Sequence, residues 1–195
     1  NFNISFWINP DSSKSSGDGY IISKWGSSTT NYYFLVYYDF SNDNIGFQFR
    51  TFDGNTVTKE YSLSPDIWSY VSINYINKEG FYIYINGELQ DVKHDNREIN
   101  DGRYNSSGNT LYYPQNIFIG SSASVSSNFK GYLRDIQVYN GVLTPRTIKD
   151  NYNKSLNLIN NSQIKTIAFT STTLSQNNLQ QQPTLDISSN IILNI

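Results

Sequence analysis

Residues 68–89 read W-S-Y-V-S-I-N-Y-I-N-K-E-G-F-Y-I-Y-I-N-G-E-L. Val71, Ile73 and Tyr75 fall on one side of an extended chain, and Tyr70, Ser72 and Asn74 fall on the other. That is the period of two expected of a β-strand with two different faces. Asn77 to Gly80 is dense in turn formers. A second strand, Phe81 to Ile85, then runs into Asn86-Gly87, a dipeptide suited to a two-residue hairpin because both central residues of a type I′ turn need positive φ. Leu89 begins the return strand. The stretch is therefore an antiparallel meander.

The same grammar extends in both directions. Upstream, Phe2, Ile4, Phe6 and Ile8 alternate with Asn3, Ser5 and Trp7, and Pro10 to Gly19 has the composition of a surface loop. Tyr20 to Trp25 and the continuous apolar run Tyr32 to Asp39 are strands. Ser41 to Asn44 is a turn, and Ile45 to Phe52 alternates again up to Asp53-Gly54. Downstream, Asp91 to Tyr113 is polar and about 20 residues long against a usual connector of about 4 to 6, the mark of a functional or mobile loop. Asn116 to Gly120 is a short strand. In Phe129 to Tyr139 the apolar positions 133, 136 and 138 slip by one residue near Arg134-Asp135, which predicts a β-bulge. Thr144 to Tyr152 fits a short helix with Thr144 as N-cap and Pro145 at the first helical position, and no longer helix is supported. Short strands at this spacing predict an all-β fold, a two-sheet antiparallel sandwich of jelly-roll type over residues 1–152. Residues 153–195 are an Asn, Gln, Ser and Thr-rich extension, with a linker-like Gln180-Gln-Gln-Pro183 and candidate strands at 164–170 and 185–193, which crosses the sandwich surface, begins a neighbouring domain or, least in keeping with its regularly spaced Leu and Ile, is disordered.

Composition narrows the chemistry. Of 195 residues, 15% are charged and the net charge is −2, so the basic field that nucleic acid requires is missing. There is no Cys and one His, His94, which removes thiolate zinc sites, disulfides and Cys nucleophiles. Aromatics reach 15%, with 16 Tyr and 11 Phe, so the core must be built largely from rings. No run approaches the ~18 apolar residues of a membrane span.

Four pieces, in order, resemble the laminin-G-like, concanavalin-A-like lectin sandwich: N-F-N-I-S-F-W-I-N at 1–9, W-S-Y-V-S-I-N-Y with I-Y-I-N-G-E-L at 68–89, N-I-F-I-G at 116–120, and F-K-G-Y-L-R-D-I-Q-V-Y-N with L-T-P-R-T-I at 129–148. The first and second are also similar to the N-terminal sandwich subdomain of the clostridial neurotoxin receptor-binding region. The resemblance implies rim loops that bind a glycan or glycoprotein, often beside a calcium ion, on a protein working outside the cell or on a particle surface. It equally admits a structural module joining neighbouring domains or subunits of a toxin, adhesin or virion coat. Family members carry a strand before the F-x-I-S-F-W piece, so that strand is either missing here or replaced by the C-terminal extension.

Candidate binding residues follow from sugar chemistry, which needs aromatic faces against a pyranose and polar groups at its hydroxyls. Trp25, Tyr38, Tyr112 and Tyr113 are the loop-end aromatics, with core packing as the competing role for each. His94 is a further candidate in the charged stretch His-Asp-Asn-Arg-Glu, where the alternative is a solvated loop residue. For calcium, Asp39 and Asp43 are the candidate ligands, against the ordinary use of Asp in turns. Asp91, Asp95 and Asp101 form a second acidic set. Glycoside hydrolysis needs two carboxyls converging over a cleft. Glu60, Glu79, Glu88 and Glu98 give no such pair in sequence, so the expectation is a recognition domain and not an enzyme.

Overall fold

A computed structural model describes residues 1–25, 32–51, 55–99, 117–121, 127–161 and 192–194. The first strands are β1 (Phe2–Pro10), β2 (Asp18–Trp25), β3 (Tyr32–Asp39), β4 (Asn44–Arg50) and β5 (Thr56–Ser62). They are followed by β6 (Ser69–Ile76), β7 (Gly80–Ile85), β8 (Glu88–His94), β9 (Phe118–Ile119) and β10 (Gly131–Tyr139), then helix α1 (Pro145–Asn161) and β11 (Ile192–Asn194). Two antiparallel sheets result, one ordered β11-β10-β1-β6-β7-β8 and the other β5-β4-β3-β2-β9. Among the described residues no helix is long and apolar enough to cross a membrane.

The alternation in the sequence becomes the two faces of the first sheet. Ile4, Phe6, Ile8, Val71, Ile73, Tyr75, Phe81 and Ile83 turn inward against Val36, Tyr38, Ile45, Phe47 and Phe49 of the second sheet. Each such fully buried side chain contributes roughly 1.5–3 kcal/mol of transfer free energy. The contacts are largely ring on ring: Phe47 meets Phe81 edge-on at 4.8 Å, and Phe49 meets Tyr75 at 5.3 Å. The continuous apolar run of β3 has a different cause. Its inner residues Val36 and Tyr38 are buried, and so are Tyr33, Leu35 and Tyr37 on the other face, as expected of a strand enclosed on both sides. Tyr37 lies across Gly46 of β4 to donate to Glu60 Oε1 of β5 at 2.5 Å, and a Cβ at Gly46 would stand 2.3 Å from the Tyr37 ring.

The predicted bulge is present. Ser5 pairs with Gln137 and Trp7 with Arg134, so Phe6 faces two residues, Asp135 and Ile136, and Asp135 takes φ 51°. Asn86 and Gly87 have φ 53° and 79°, the type I′ signs expected of the hairpin. β1 is paired on both sides, by β10 and β6. β11, from the C-terminal extension, pairs with β10 and not with β1.

The helix departs from the sequence expectation: it runs 17 residues, past Tyr152 where the extension was placed to begin. Thr144 caps it as expected, its Oγ1 accepting from Thr147 N at 3.1 Å. Its length follows from packing. Ile148, Tyr152 and Leu156, four residues apart on one face, cover Trp7, Tyr70 and Tyr84 on the outer face of the first sheet. Trp7 Nε1 donates to Ser155 Oγ at 2.9 Å.

Candidate functional site

The β6–β7 hairpin and the end of β8 build one rim of the sandwich. Lys78 adopts φ 64°, and Gly80 adopts φ 114° with Lys93 O so close that no Cβ fits. The hairpin is thereby pressed onto the end of β8, and Asp95 N donates to Glu79 O at 3.0 Å. Beyond β8, Arg97 forks onto Asp95, with Nε to Oδ1 at 2.8 Å and Nη2 to Oδ2 at 2.7 Å. The Arg97 hydrogen bond, working against partial burial, holds the Asp95 carboxyl below its ordinary value. Asn1 Oδ1 accepts from Asn77 N at 2.8 Å, and Ile99 N donates to Tyr75 Oη at 2.9 Å, which anchors the rim on both sides.

These constraints leave an open depression of about 650 Å3 with Tyr82 and His94 in its wall and Lys78, Glu79, Asn96 and Arg97 around it. Tyr82 is half-buried on the outer face of β7, and the exposed His94 stands edge-on to it, ring centroids 6.4 Å apart at 84°. The formal charges of Lys78, Glu79, Asp95 and Arg97 cancel. The site therefore offers one aromatic wall, donors and acceptors of both kinds, and no net field, a combination suited to a neutral polyhydroxylated ligand.

The sequence candidates divide between the two ends of the molecule. Trp25 ends β2 at the His94 end of the sandwich, its backbone paired with Tyr32. Tyr112 and Tyr113 lie outside the described residues, as does Asp101. Tyr38, Asp39 and Asp43 sit at the opposite end, around the β3–β4 turn. Tyr38 is a correction: its side chain is fully buried, its hydroxyl donates to Leu63 O at 2.7 Å, and its ring packs edge-on to Phe40 at 4.8 Å. No face of it is open to a sugar. Asp39 and Asp43 do not fit a calcium ion either. Asp39 accepts from Ser41 N at 2.8 Å and Asn42 Nδ2 at 2.6 Å. Burial raises its pKa, but these hydrogen bonds outweigh burial and the net displacement is downward. Asp43, at φ 52°, receives the Tyr38 hydroxyl at 3.2 Å on Oδ1. Calcium wants six to eight oxygens, and among the described residues no three carboxylate or imidazole side chains converge. Of the second acidic set, Asp91 is taken by Lys59 at 2.6 Å and Asp95 by Arg97. The residues that sequence reasoning missed are Tyr82 and Arg97. Tyr82 was legible only as strand, and the charges of 94–98 gave no sign of which would turn toward it.

Comparison with known proteins follows the architecture. A comparison with curated protein sequences gives no significant match. Among solved structures, the CBM40 of a Ruminococcus gnavus IT-sialidase, bound to α2,3-sialyllactose, superposes with TM-score 0.60 at 15% identity over 77% of this chain and 82% of that one. The binding domain of botulinum neurotoxin serotype D superposes with TM-score 0.55 at 18% identity over 80% of this chain, which spans 37% of the toxin domain. The serotype D ligand-binding domain in complex with N-acetylneuraminic acid gives 0.57 at 18% identity, with 80% and 36% covered. At these identities the likeness is one of fold. A family model described as the concanavalin A-like lectin/glucanases superfamily matches residues 1–149, most of the chain, and the chain belongs to that superfamily.

Proposed function

We propose that the chain is a non-catalytic glycan-recognition module, acting outside the cell or on a particle surface, whose binding surface is the rim that carries Tyr82 and His94. The observation that carries this reading is the charge-balanced depression with an aromatic wall at a loop-bearing end of a lectin-type sandwich. Relatives of the same fold crystallised with sialyllactose and N-acetylneuraminic acid support a glycan as the ligand class. The carboxylates that the second sheet does bring opposite each other, Asp18 and Asp39, favour recognition over hydrolysis, because Asp39 is spent within its turn on Ser41 and Asn42.

A glycan array probed with the full chain, neutral and sialylated oligosaccharides included, tests the reading. Binding that falls about tenfold or more in Tyr82→Ala and His94→Ala, with unchanged melting temperature for His94→Ala, is the expected outcome. Trp25→Ala and Tyr113→Ala extend the test to the remaining loop aromatics. Array-wide silence, binding indifferent to the first two substitutions, or turnover of a polysaccharide overturns it. A second reading, a module that docks onto neighbouring subunits, is favoured by Ile117 and Ile119, 54% and 45% exposed at the edge strand β9. Concentration-dependent association in sedimentation, abolished by Ile119→Lys, is its signature.

A further inference from the structure

The two sheets do not close evenly along their sides. β5 meets β8 through Lys59 and Asp91, β4 meets β7 through Phe47 and Phe81, and β3 meets β1 through Phe34 and Phe2, so β9 and β10 share the remaining side. There the second sheet ends in a strand of two residues, while β10 has nine. The mismatch leaves core-facing positions uncovered. Val138 is the cross-strand partner of Ile4, which is fully buried, and Ile119 is the partner of Ile22, which is 1% exposed. Cross-strand partners share a face, so both side chains point between the sheets, yet they are 60% and 45% exposed. Apolar side chains aimed into a sandwich and left in water mark a place for a further strand.

The backbone gives the same sign. β10 pairs with β1 from Gly131 to Tyr139, but on its other edge it pairs with β11 only at Tyr132, Leu133 and Arg134. Among the described residues the edge from Asp135 to Tyr139 has no strand beside it, and an open edge of this kind accepts another strand. Ile192, the first residue of β11, faces Arg134, so the direction of β11 points the preceding residues along the open edge. Their sequence, L-D-I-S-S-N-I over 185–191, suits it. Position 193 stands opposite Leu133, a core residue, and alternation carried upstream gives the core-facing positions to 191, 189, 187 and 185, which are Ile, Ser, Ile and Leu. The outward positions 190, 188 and 186 are Asn, Ser and Asp. The bulge keeps this phase: Asp135 and Ile136 together take one place on β10, so 191 falls opposite them, 190 opposite Gln137 and 189 opposite Val138. A slip of one residue turns Asn and Asp toward the core instead.

We infer that residues 185–191 add to β10 along Asp135–Tyr139, extend β11 into a full strand and close the seam over Val138 and Ile119. The occupant is the chain's own segment because Ile192 tethers it beside the seam, which gives it an effective concentration that no free partner matches. This seam is separate from the Tyr82–His94 rim and does not depend on the reading given to that rim. Its own-chain strand competes for the same apolar residues with the neighbouring subunit considered above.

The chain has no cysteine, so an introduced pair reports a single proximity. In the full chain, Val138→Cys with Ser189→Cys is expected to form a disulfide within one monomer under mild oxidation, since cross-strand Cα separations of about 4.5–5.5 Å lie inside the disulfide range. Val138→Cys with Ser188→Cys, whose second residue takes an outward position, is expected to stay reduced. Two single substitutions read the same strand without a cross-link. Ile191→Asp is expected to lower the melting temperature by several degrees and to speed hydrogen exchange, on the order of tenfold or more, at those amides of 135–139 that point away from β1. Asn190→Asp is expected to change neither. A disulfide that joins two chains assigns the seam to a second copy and overturns the inference. So do cross-linking through 188 in preference to 189, no cross-link in a chain that melts like the unsubstituted one, equal effects of the two aspartates, and, in the unsubstituted chain, exchange at those amides as fast as in an unfolded peptide. None of these substitutions touches the Tyr82–His94 rim, so glycan binding there stands or falls separately.

Discussion

Asp18 and Asp39 are direct cross-strand partners on the outer face of the second sheet, at the rim away from His94. Partial burial, then the charge of Asp39, then that of Glu60 raise the Asp18 carboxyl above its ordinary value, with Lys14 opposing. A carboxyl whose folded pKa exceeds its unfolded one favours the folded state when protonated, so the ionised form subtracts stability. The loss sets in as pH climbs from the unfolded value near 3.8 through the higher folded value and is complete above it. Like charges directly opposed in a ladder cost roughly 0.2–0.5 kcal/mol at an exposed position. Asp18→Asn is therefore expected to raise the melting temperature at pH 7 by ~1–2 °C. The gain should fade as the pH approaches 4 and shrink in high salt. Thermal melts at pH 7 and pH 4 check it, and a variant that is less stable at pH 7 refutes it. No sequence rule distinguishes this Asp from its neighbours. The opposition exists only because the register of β2 on β3 places 39 against 18.

On the scale of strands and helix, the outer face of the first sheet is held by a polar ladder. Asn3 Nδ2 donates to Ser72 Oγ and to Asn74 Oδ1, both at 2.9 Å, and Ser5 Oγ donates to Asn3 Oδ1 at 2.7 Å. Asn74 then grips the segment leading into α1: its Nδ2 donates to Leu143 O at 2.8 Å and its Oδ1 accepts from Leu143 N at 3.0 Å. The ladder thus sets where the helix begins, and the Trp7–Ser155 bond fixes its third turn. Asn74→Ala leaves the buried Asn3 amide and both Leu143 backbone groups short of a partner. A loss of ~1–3 kcal/mol is expected in denaturant melts, with the helix loosened before the sheets, so that hydrogen exchange should rise in 145–156 first. Uniform exchange across α1 and the sheets refutes that order. The bulge and the strands other than β5 were legible because period two and its slip are local properties of the chain, whereas T-V-T-K-E-Y-S of β5 holds too few apolar residues to show an alternation. The helix end was not legible, because Asn151, Asn153 and Ser155 are weak helix formers and the stretch is held instead by the packing of Tyr152 and Leu156 on Trp7, Tyr70 and Tyr84, residues far away in sequence.

For the whole molecule, the decisive fact is the separation of its two ends. Sequence reading places Trp25 and Tyr38 at loop ends, His94 in a charged stretch and Asp39 and Asp43 at a turn, but it does not say which of these share an end of the sandwich, since a strand pattern fixes faces and not the grouping of loops. Topology does that. The β3–β4 turn lies with Phe40, Gly17 and Phe129, while the β6–β7 turn and His94 lie at the other end beside Asn1 and Ile99. A glycan seated at His94 is thus out of reach of Asp39 and Asp43, and their substitution by Asn should leave sugar binding unchanged. The acids are also occupied by their own turn, which predicts the response to metal. A resident ion present at about a hundred times its Kd adds roughly 2.7 kcal/mol to stability, or ~5–10 °C in a domain of this size. Millimolar calcium, or its removal by a chelator, is instead expected to move the melting temperature by less than about 1 °C. A calcium-dependent rise of several degrees that disappears in Asp39→Asn or Asp43→Asn would show that the turn releases its hydrogen bonds to an ion, and would return the calcium site to the end of the sandwich away from the sugar.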